Sequence, residues 1–377
     1  MAELYTLPDG WEWIKFSKVF DTPTSKPYQI QKTEYLENGL LPIIDQGKEF
    51  IIGYTNSTEK KYSNDSNCII FGDHTRQIKY VDFDFVIGAD GTKILKEKDK
   101  NKYDLKFLYF QFLSKKIESL GYSRHFKLVK EMFFAIPSLE KQKRIVAKLD
   151  ILFAKIDKAI ALHQKNIDEA NIFMASVLND VFVELEEKYE KKQLNEIVIF
   201  GGKNISTLEY PNLIYFSLED VEAQTGRILN CKTVNEAGVK GTAVRFDENV
   251  VLYSKLRPYL NKVIVPNLEG CSTTELVVLK PKDKLDKYFL ASYLRSSNIV
   301  NFLNNDSMGA KMPRTNMKTF RNLEISFPPY ETQQKVVSYL DEISSKMEKI
   351  KQIQKEKMQS LKELKASILD QAFKGEL

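Results

Sequence analysis

The 377-residue sequence is poor in the residues that carry most redox, metal and nucleophilic chemistry, with three cysteines, three histidines and two tryptophans. Cys68, Cys231 and Cys271 are too far apart for a local CxxC motif, which points to a reduced, cytoplasmic protein. His74, His125 and His163 form no ligand spacing with any cysteine. No run approaches the ~18 apolar residues needed to cross a bilayer, and the opening Met1-Ala2-Glu3-Leu4-Tyr5 lacks the basic-then-apolar pattern of a secretory signal. Neither charge dominates: 56 Lys and Arg against 51 Asp and Glu leave +5, which permits a nucleic-acid partner without demanding one. A composition of 43% hydrophobic and 28% charged residues excludes wholesale disorder. At about 150 residues per domain, the length suggests two or three domains.

A further absence organises the chain. No proline or glycine occurs between Pro137 and Gly201, and none between Pro329 and Gly375. These two stretches are copies of each other. Sliding the sequence by 191 residues matches Lys127–Phe182 to Lys318–Phe373 without a gap, with Pro137 on Pro328, Glu140 on Glu331, Gln142 on Gln333 and Leu149-Asp150 on Leu340-Asp341. In the first copy apolar spacing of mostly three and four runs Leu149, Leu152, Ile156, Ala159, His163, Ile167, Ala170, Met174, Val177, Val181. In the second it runs Val336, Leu340, Ile343, Met347, Ile350, Gln354, Leu361, Lys365, Ile368, Ala372. So narrow a seam predicts coiled-coil helices, each spanning about 65 Å, that cannot bury their apolar stripe alone and therefore pair. His163 and Gln354 are equivalent and lie near the two midpoints. In an antiparallel pair about a pseudo-dyad they either form one polar layer that fixes register or reach solvent at the edge of the seam.

The segments before the helices align poorly and read as strand-rich, mixed α/β domains. Short β-rich runs occur at 67–71, 79–87, 249–253 and 275–279, and helical patterns at 105–120 and 287–303. Catalytic motifs fail on inspection. Phe327-Pro328-Pro329-Tyr330 resembles the loop of amino-methyltransferases but has Phe where a polar side chain must bond the target amine, and no cofactor glycine loop precedes it. Gly201-Gly202-Lys203-Asn204 lacks the upstream glycine and the Ser/Thr of a phosphate loop, and Gly88-Ala89-Asp90-Gly91 is a turn by the same standard. The chain reads as a protein without catalysis of its own.

Positive charge gathers at the ends of the variable segments: residues 251–330 hold twelve Lys/Arg against six Asp/Glu, and residues 101–138 seven against three. Candidate DNA contacts in the first segment are Thr75, Arg76, Gln77, Lys79, Lys93, Arg124 and His125. In the second they are Lys255, Arg257, Tyr259, Lys262, Thr273, Lys311, Arg314 and Asn316. Lys and Arg neutralise phosphates, and Arg, Asn and Gln read base edges bidentately.

The duplicated layout resembles the specificity subunit of type I restriction–modification systems over nearly the whole chain. The resemblance rests on Pro8-Asp9-Gly10-Trp11-Glu12-Trp13-Ile14-Lys15-Phe16 and on the joins Ile136-Pro137-Ser138-Leu139-Glu140-Lys141-Gln142 and Phe327-Pro328-Pro329-Tyr330-Glu331-Thr332-Gln333. It also rests on the run Val251–Tyr259, on Cys271–Glu275 and on the closing Ala366–Leu377. The joins depart from the family's Pro-Pro-x-x-Glu-Gln by one residue inserted between Glu and Gln, and by a single proline in the first. The resemblance implies an α+β chain of two mixed α/β, strand-rich target-recognition domains joined by two long antiparallel coiled-coil helices, internally duplicated with pseudo-twofold symmetry. The implied boundaries are a first recognition domain at 1–138, a first spacer helix at 139–190, a second domain at 191–329 and a second helix at 330–377. It further implies that each domain reads half of a bipartite, asymmetric site in double-stranded DNA. The helices would dock two methyltransferase subunits, with restriction subunits joining them. S-adenosylmethionine, ATP and magnesium would sit on those partners, and no cofactor or metal on this chain. The competing reading is a coiled-coil adaptor that binds only protein; it accounts for the helices but not for two basic α/β segments.

Overall fold

The computed structural model describes residues 5–63, 67–88, 90–121, 123–309 and 311–376. Ala89 of the Gly88–Gly91 turn, the opening Met1–Leu4 and the closing Leu377 lie outside them. The chain divides into two compact units, one of Met1–His163 with Glu356–Leu377 and one of Gln164–Lys355.

Both units repeat one strand plan. In the first, Phe20–Asp21, Thr92–Glu97, Cys68–Gly72 and Ile78–Val81 lie in that order as an antiparallel sheet. In the second, Val198–Phe200, Leu276–Pro281, Val251–Ser254 and Val263–Ile264 do the same. A second sheet in each unit contains a parallel pair, Leu41–Ile44 with Val86–Ile87 and Ile214–Phe216 with Gly270–Ser272. A short antiparallel pair, Glu12–Lys15 with Phe133–Ile136 or Lys191–Gln193 with Glu324–Ser326, ends each domain just before a long helix. Thus the segments that align poorly in sequence are duplicated in fold. Two elements are shorter than the sequence predicts: the run 79–87 is interrupted between Val81 and Val86, and the helix expected at 105–120 stops at Ser114. The 287–303 pattern is two helices, Lys287–Arg295 and Ser297–Asn305, broken where Ser296 adopts extended backbone and its hydroxyl bonds the Tyr293 carbonyl at 2.8 Å.

The long helices run Leu139–Lys188 and Tyr330–Lys374. Phe327–Tyr330 is the entry to the second, with the Pro329 carbonyl accepting the first helical N–H groups of Thr332 and Gln333. Their ends are part of the domain cores. In the first unit Ile145, Leu149, Phe153 and Ile156 join Leu369, Ala372 and Phe373 around Phe107, Phe112 and Phe134. In the second, Phe182 and Leu185 join Leu340 around Phe289, Tyr293 and Phe320. The helices pair antiparallel: Asn166 donates to Gln354 at 3.3 Å and Lys351 to Asn171 at 3.1 Å in the second unit, and Lys365 meets Asp157 at 2.8 Å in the first.

The seam is shifted from the sequence reading in one place. Ile350 is exposed, while Lys351 and Met358 turn inward, so the half-buried line runs Met347, Lys351, Gln354, Met358, Leu361, Lys365, Ile368. Counting only apolar letters placed Ile350 on the stripe and passed over a lysine whose stem can lie along it. The amide of Gln354 is engaged by Asn166 within the second unit; His163 belongs to the first unit and is half-buried.

Each domain is fastened to its helix by one glutamine. Gln142 Oε1 accepts the N–H of Asp104 at 2.8 Å, and its amide nitrogen donates to the carbonyls of Lys102 and Pro137, both at 2.9 Å. Gln333 repeats the pattern with Asp286 N–H at 2.8 Å and the carbonyls of Lys284 and Pro328 at 2.8 and 2.9 Å. Both side chains are fully buried. Asp104 and Asp286 in turn cap the helices Leu105–Ser114 and Lys287–Arg295, accepting Phe107 N–H at 2.8 Å and Tyr288 and Phe289 N–H at 2.8 and 3.0 Å.

Truncating either glutamine leaves one N–H and two carbonyls without partners, at about 1–3 kcal/mol each. Gln142→Ala and Gln333→Ala are each expected to lower unfolding stability by about 3 kcal/mol or more in urea titration; a loss below 1 kcal/mol would show that water replaces the clamp. The polar stretch of the helix pair behaves oppositely. Gln354 is half-buried on the seam while Asn166 is exposed, so Gln354→Leu alone exchanges a polar seam position for an apolar one, and a rise of about 2–4 °C in Tm is expected. A fall would mean that this hydrogen bond stabilises the pair.

Candidate nucleic-acid interface

In the second unit three loops meet beyond the end of strand Val251–Ser254. Lys255 N–H bonds the Glu275 carbonyl at 3.0 Å, Thr315 N–H bonds the Lys255 carbonyl at 2.8 Å, and Arg257 N–H bonds the Pro313 carbonyl at 2.7 Å. Met308 and Arg314 exchange backbone hydrogen bonds at 2.8 and 2.9 Å, and Arg314 also bridges Leu256, so this pair lies against 255–257. The ridge carries exposed Arg257, Tyr259 and Lys311, half-buried Lys255, and Arg314, whose guanidinium holds Glu275 Oε1 at 3.3 Å. Arg257 sits at φ +52°, a left-handed conformation that a non-glycine residue adopts only where its surroundings enforce it.

The first unit builds its counterpart after the equivalent strand, Cys68–Gly72. Thr75 hydroxyl donates to the Gln46 carbonyl and accepts Gln77 N–H at 3.3 Å, closing a turn that presents Arg76 at φ +62°. Arg76 is exposed and gives one N–H to the Ile117 carbonyl at 3.0 Å. Gly91, at φ +78°, lies so close to His74 that a Cβ would come within 2.9 Å of its ring, so this crossing needs glycine. Lys93 and Arg124 flank the turn, each 4.0 Å from the carboxylate of buried Asp73.

Several expected contact residues are scaffold instead. His125 is 1% exposed: its Nδ1 bonds the Asp73 carbonyl at 2.9 Å and its Nε2 accepts Leu120 N–H at 2.9 Å. That pattern fixes the Nδ1–H tautomer and leaves no ring nitrogen for DNA. Lys79 is 6% exposed and donates to the carbonyls of Asp45 and Glu49, at 2.8 and 2.5 Å; burial pushes its pKa down while Asp45 opposes. Lys262 donates to the Leu218 carbonyl at 2.6 Å. Asn316 caps the helix Met317–Arg321 through Lys318 N–H at 3.1 Å. Thr273 is half-buried; its backbone N–H bonds the Phe216 carbonyl at 3.0 Å, and its hydroxyl stays among the candidates. Residue type does not reveal burial, so a search for cations and amides gathers scaffold and surface together. It also passes over the carboxylates Asp73 and Glu275 beside the cations, and the exposed Met308 and Met312.

Among the described residues no group of three or more His, Cys, Asp or Glu is placed to hold a metal ion, and no helix is long and apolar enough to cross a membrane.

The family described as type I restriction modification DNA specificity domain matches residues 8–171 and 186–357. The chain belongs to this DNA specificity domain family, in two copies. It is 23% identical over 282 residues to the EcoDI type I restriction enzyme specificity subunit of Escherichia coli, covering 66% of this chain and 63% of that protein. It is 35% identical over 115 residues to the EcoR124I/EcoR124II specificity subunit of the same organism, covering 29% of this chain and 28% of that protein. The chain thus matches less than two thirds of the length of these curated relatives. A chain from a solved structure of type I R-M complex assembly and conformational transition covers 99% of this chain and 100% of its own, with a TM-score of 0.69 at 21% identity, which shows a shared fold. The two matched spans of the specificity domain family each contain one copy of the strand plan and one arginine-bearing turn, Arg76 in one and Arg257 in the other.

The cysteines offer no nucleophile to this surface. Cys68 and Cys271 are fully buried, and burial pushes their thiols up to about 12 and about 11; Cys231 is exposed. A maleimide is expected to label one thiol in the native protein and three after denaturation; rapid native labelling of a second would overturn the burial of that strand.

Proposed function

We propose that this chain is the specificity subunit of a cytoplasmic type I restriction–modification complex and catalyses nothing by itself. Each recognition domain reads one half of a bipartite, asymmetric site in double-stranded DNA. The long helices dock two methyltransferase subunits, and restriction subunits can join. S-adenosylmethionine, ATP and magnesium are bound by those partners. The observation that carries this reading is the pair of turns around Arg76 and Arg257. The same sheet, in both units, delivers an exposed arginine on left-handed backbone beside further cations. A guanidinium held this way is pre-organised for a guanine edge or a phosphate. The neighbours differ, with Lys93 and Arg124 in one unit and Tyr259, Lys311 and Arg314 in the other, which suits two different half-sites. A protein-only adaptor would have no use for two such turns.

The test is methylation by the chain reconstituted with its partner methyltransferase, read as the modified motif. Arg76→Ala should weaken or relax one half of the motif and Arg257→Ala the other, each by about 1–3 kcal/mol for a base contact. A phosphate contact would instead weaken all sequences alike. Methyl transfer by the chain alone, or both halves responding to either substitution, would overturn the reading.

A further inference from the structure

Asp73 is an acid where the surface is otherwise cationic. Its side chain is 2% exposed, yet Lys93 Nζ and Arg124 Nε both lie 4.0 Å from the same oxygen, Oδ2. The residue itself is rigidly held. Its N–H bonds the Gly91 carbonyl at 2.8 Å, and its carbonyl accepts both the N–H and the Nδ1 of His125, at 2.8 and 2.9 Å. Its Oδ1 accepts Phe126 N–H at 2.8 Å. Every one of these bonds ties the turn after Cys68–Gly72 to the loop that carries Arg124 or to the strand that carries Lys93. Buried carboxylates are retained where they are paired and hydrogen-bonded, and this one is both.

Two cations drawn to one oxygen repel each other unless an anion sits between them. Asp73 supplies that anion from beneath. At 4.0 Å the pairs are longer than hydrogen bonds, so the donors of Lys93 and Arg124 are not saturated. Arg124 is 63% exposed along its side chain and Lys93 34%. The outer side of the pair is exposed beside the Asp90 carboxylate, 3.6 Å from Arg124 Nη2, and can take a second anion in place of that exposed side chain. DNA supplies such an anion in each backbone phosphate.

We propose that Asp73 is a positioning residue that holds Lys93 and Arg124 together as a two-pronged clamp for one DNA phosphate at the first half-site. The proposal rests on the DNA-recognition reading above and adds to it a carboxylate acting through two cations. It makes an unusual demand on sign. Removing a negative charge from a DNA-binding surface ordinarily tightens binding; here it must weaken it, because the cations spread apart.

Asp73→Asn tests this in the full chain assembled with its methyltransferase partner. The amide oxygen can still accept Phe126 N–H and the backbone bonds are untouched, so the fold is preserved while the charge is lost. Asp90 is the control, since its carboxylate also lies near Arg124, at 3.6 Å, but is 80% exposed and reaches Arg124 from the solvent side. Binding to the cognate duplex is measured against salt for wild type, Asp73→Asn, Asp90→Asn, Arg124→Ala and the Asp73→Asn/Arg124→Ala double variant. Asp73→Asn is expected to weaken binding at least fivefold and to flatten the log–log salt slope by about 0.9, one phosphate's worth of released counterions. Asp90→Asn should bind as wild type or more tightly. The double variant should be no weaker than Arg124→Ala alone, because the two changes remove one clamp. Equal or tighter binding by Asp73→Asn would overturn the proposal. So would weaker binding with an unchanged slope and a lowered Tm, the mark of a structural role, or full additivity with Arg124→Ala. If the wild-type complex shows no preference for any sequence, the recognition reading fails, while the salt slopes on that same DNA still decide whether Asp73 builds the clamp.

Discussion

The constraint on which the rest depends is the buried glutamine at the head of each long helix. A side chain that must accept one N–H and donate to two carbonyls has to be an amide, and in both units it makes the same three bonds. A glutamate could not donate and would bring a charge into a dry site, while a methionine of similar length could do neither. The bonds reach back to the residues that cap the domain's helix, so together with the shared core the glutamine fixes how a recognition domain leaves its long helix. Every loop of the candidate interface hangs from strands packed on that capped helix. An error of register here would displace all of them together.

Several cations of the candidate interface lie beside a carboxylate or have become internal fasteners. Arg314 has Glu275, and Lys93 and Arg124 have Asp73, while Lys79 and Lys262 have become fasteners between loops. The surface is thus less basic than the count of lysines and arginines implies. What distinguishes the usable cations is geometry: an exposed head, an exact anchor beneath it, and in two places a backbone strained into the left-handed region. Strain of that kind persists only where the surroundings over-determine it, and at Arg257 the hydrogen bond to Pro313 does so.

The long helices were legible because proline and glycine are absent over whole stretches and because one copy could be checked against the other. The details of the seam were less so. A pattern built on apolar letters selects Ile350, although the helix turns Lys351 inward to meet Asn171. Two strand-rich recognition domains were expected from the duplicated layout, but their common strand order was not legible in residue identities, since strands of two to six residues pair across long sequence gaps. For the site, the cluster of basic residues was visible but not the burial of Lys79 and His125, which depends on loops that close over them from elsewhere in the chain. The anchoring acids were invisible for a plainer reason: a search for DNA contacts looks for positive charge.

The distribution of polarity along the helices has a consequence for folding. Their ends sit inside the domain cores, whereas the intervening stretch buries only a few apolar residues such as Ile167 and Ala170 and adds hydrogen bonds from exposed Asn166 to Gln354 and from Lys351 to exposed Asn171. Cooperativity therefore concentrates where helix ends and recognition domain share a core, and each unit gathers its stability separately. The first unit is assembled from distant parts of the chain, because Leu369, Ala372 and Phe373 complete the core that Phe107, Leu149 and Phe153 begin. Such contacts carry a high closure entropy and form late. The second unit is drawn from one continuous stretch, yet it too closes over a long gap, Phe182 and Leu185 against Leu340. In both units the long helix of one half of the chain completes a core together with the long helix of the other.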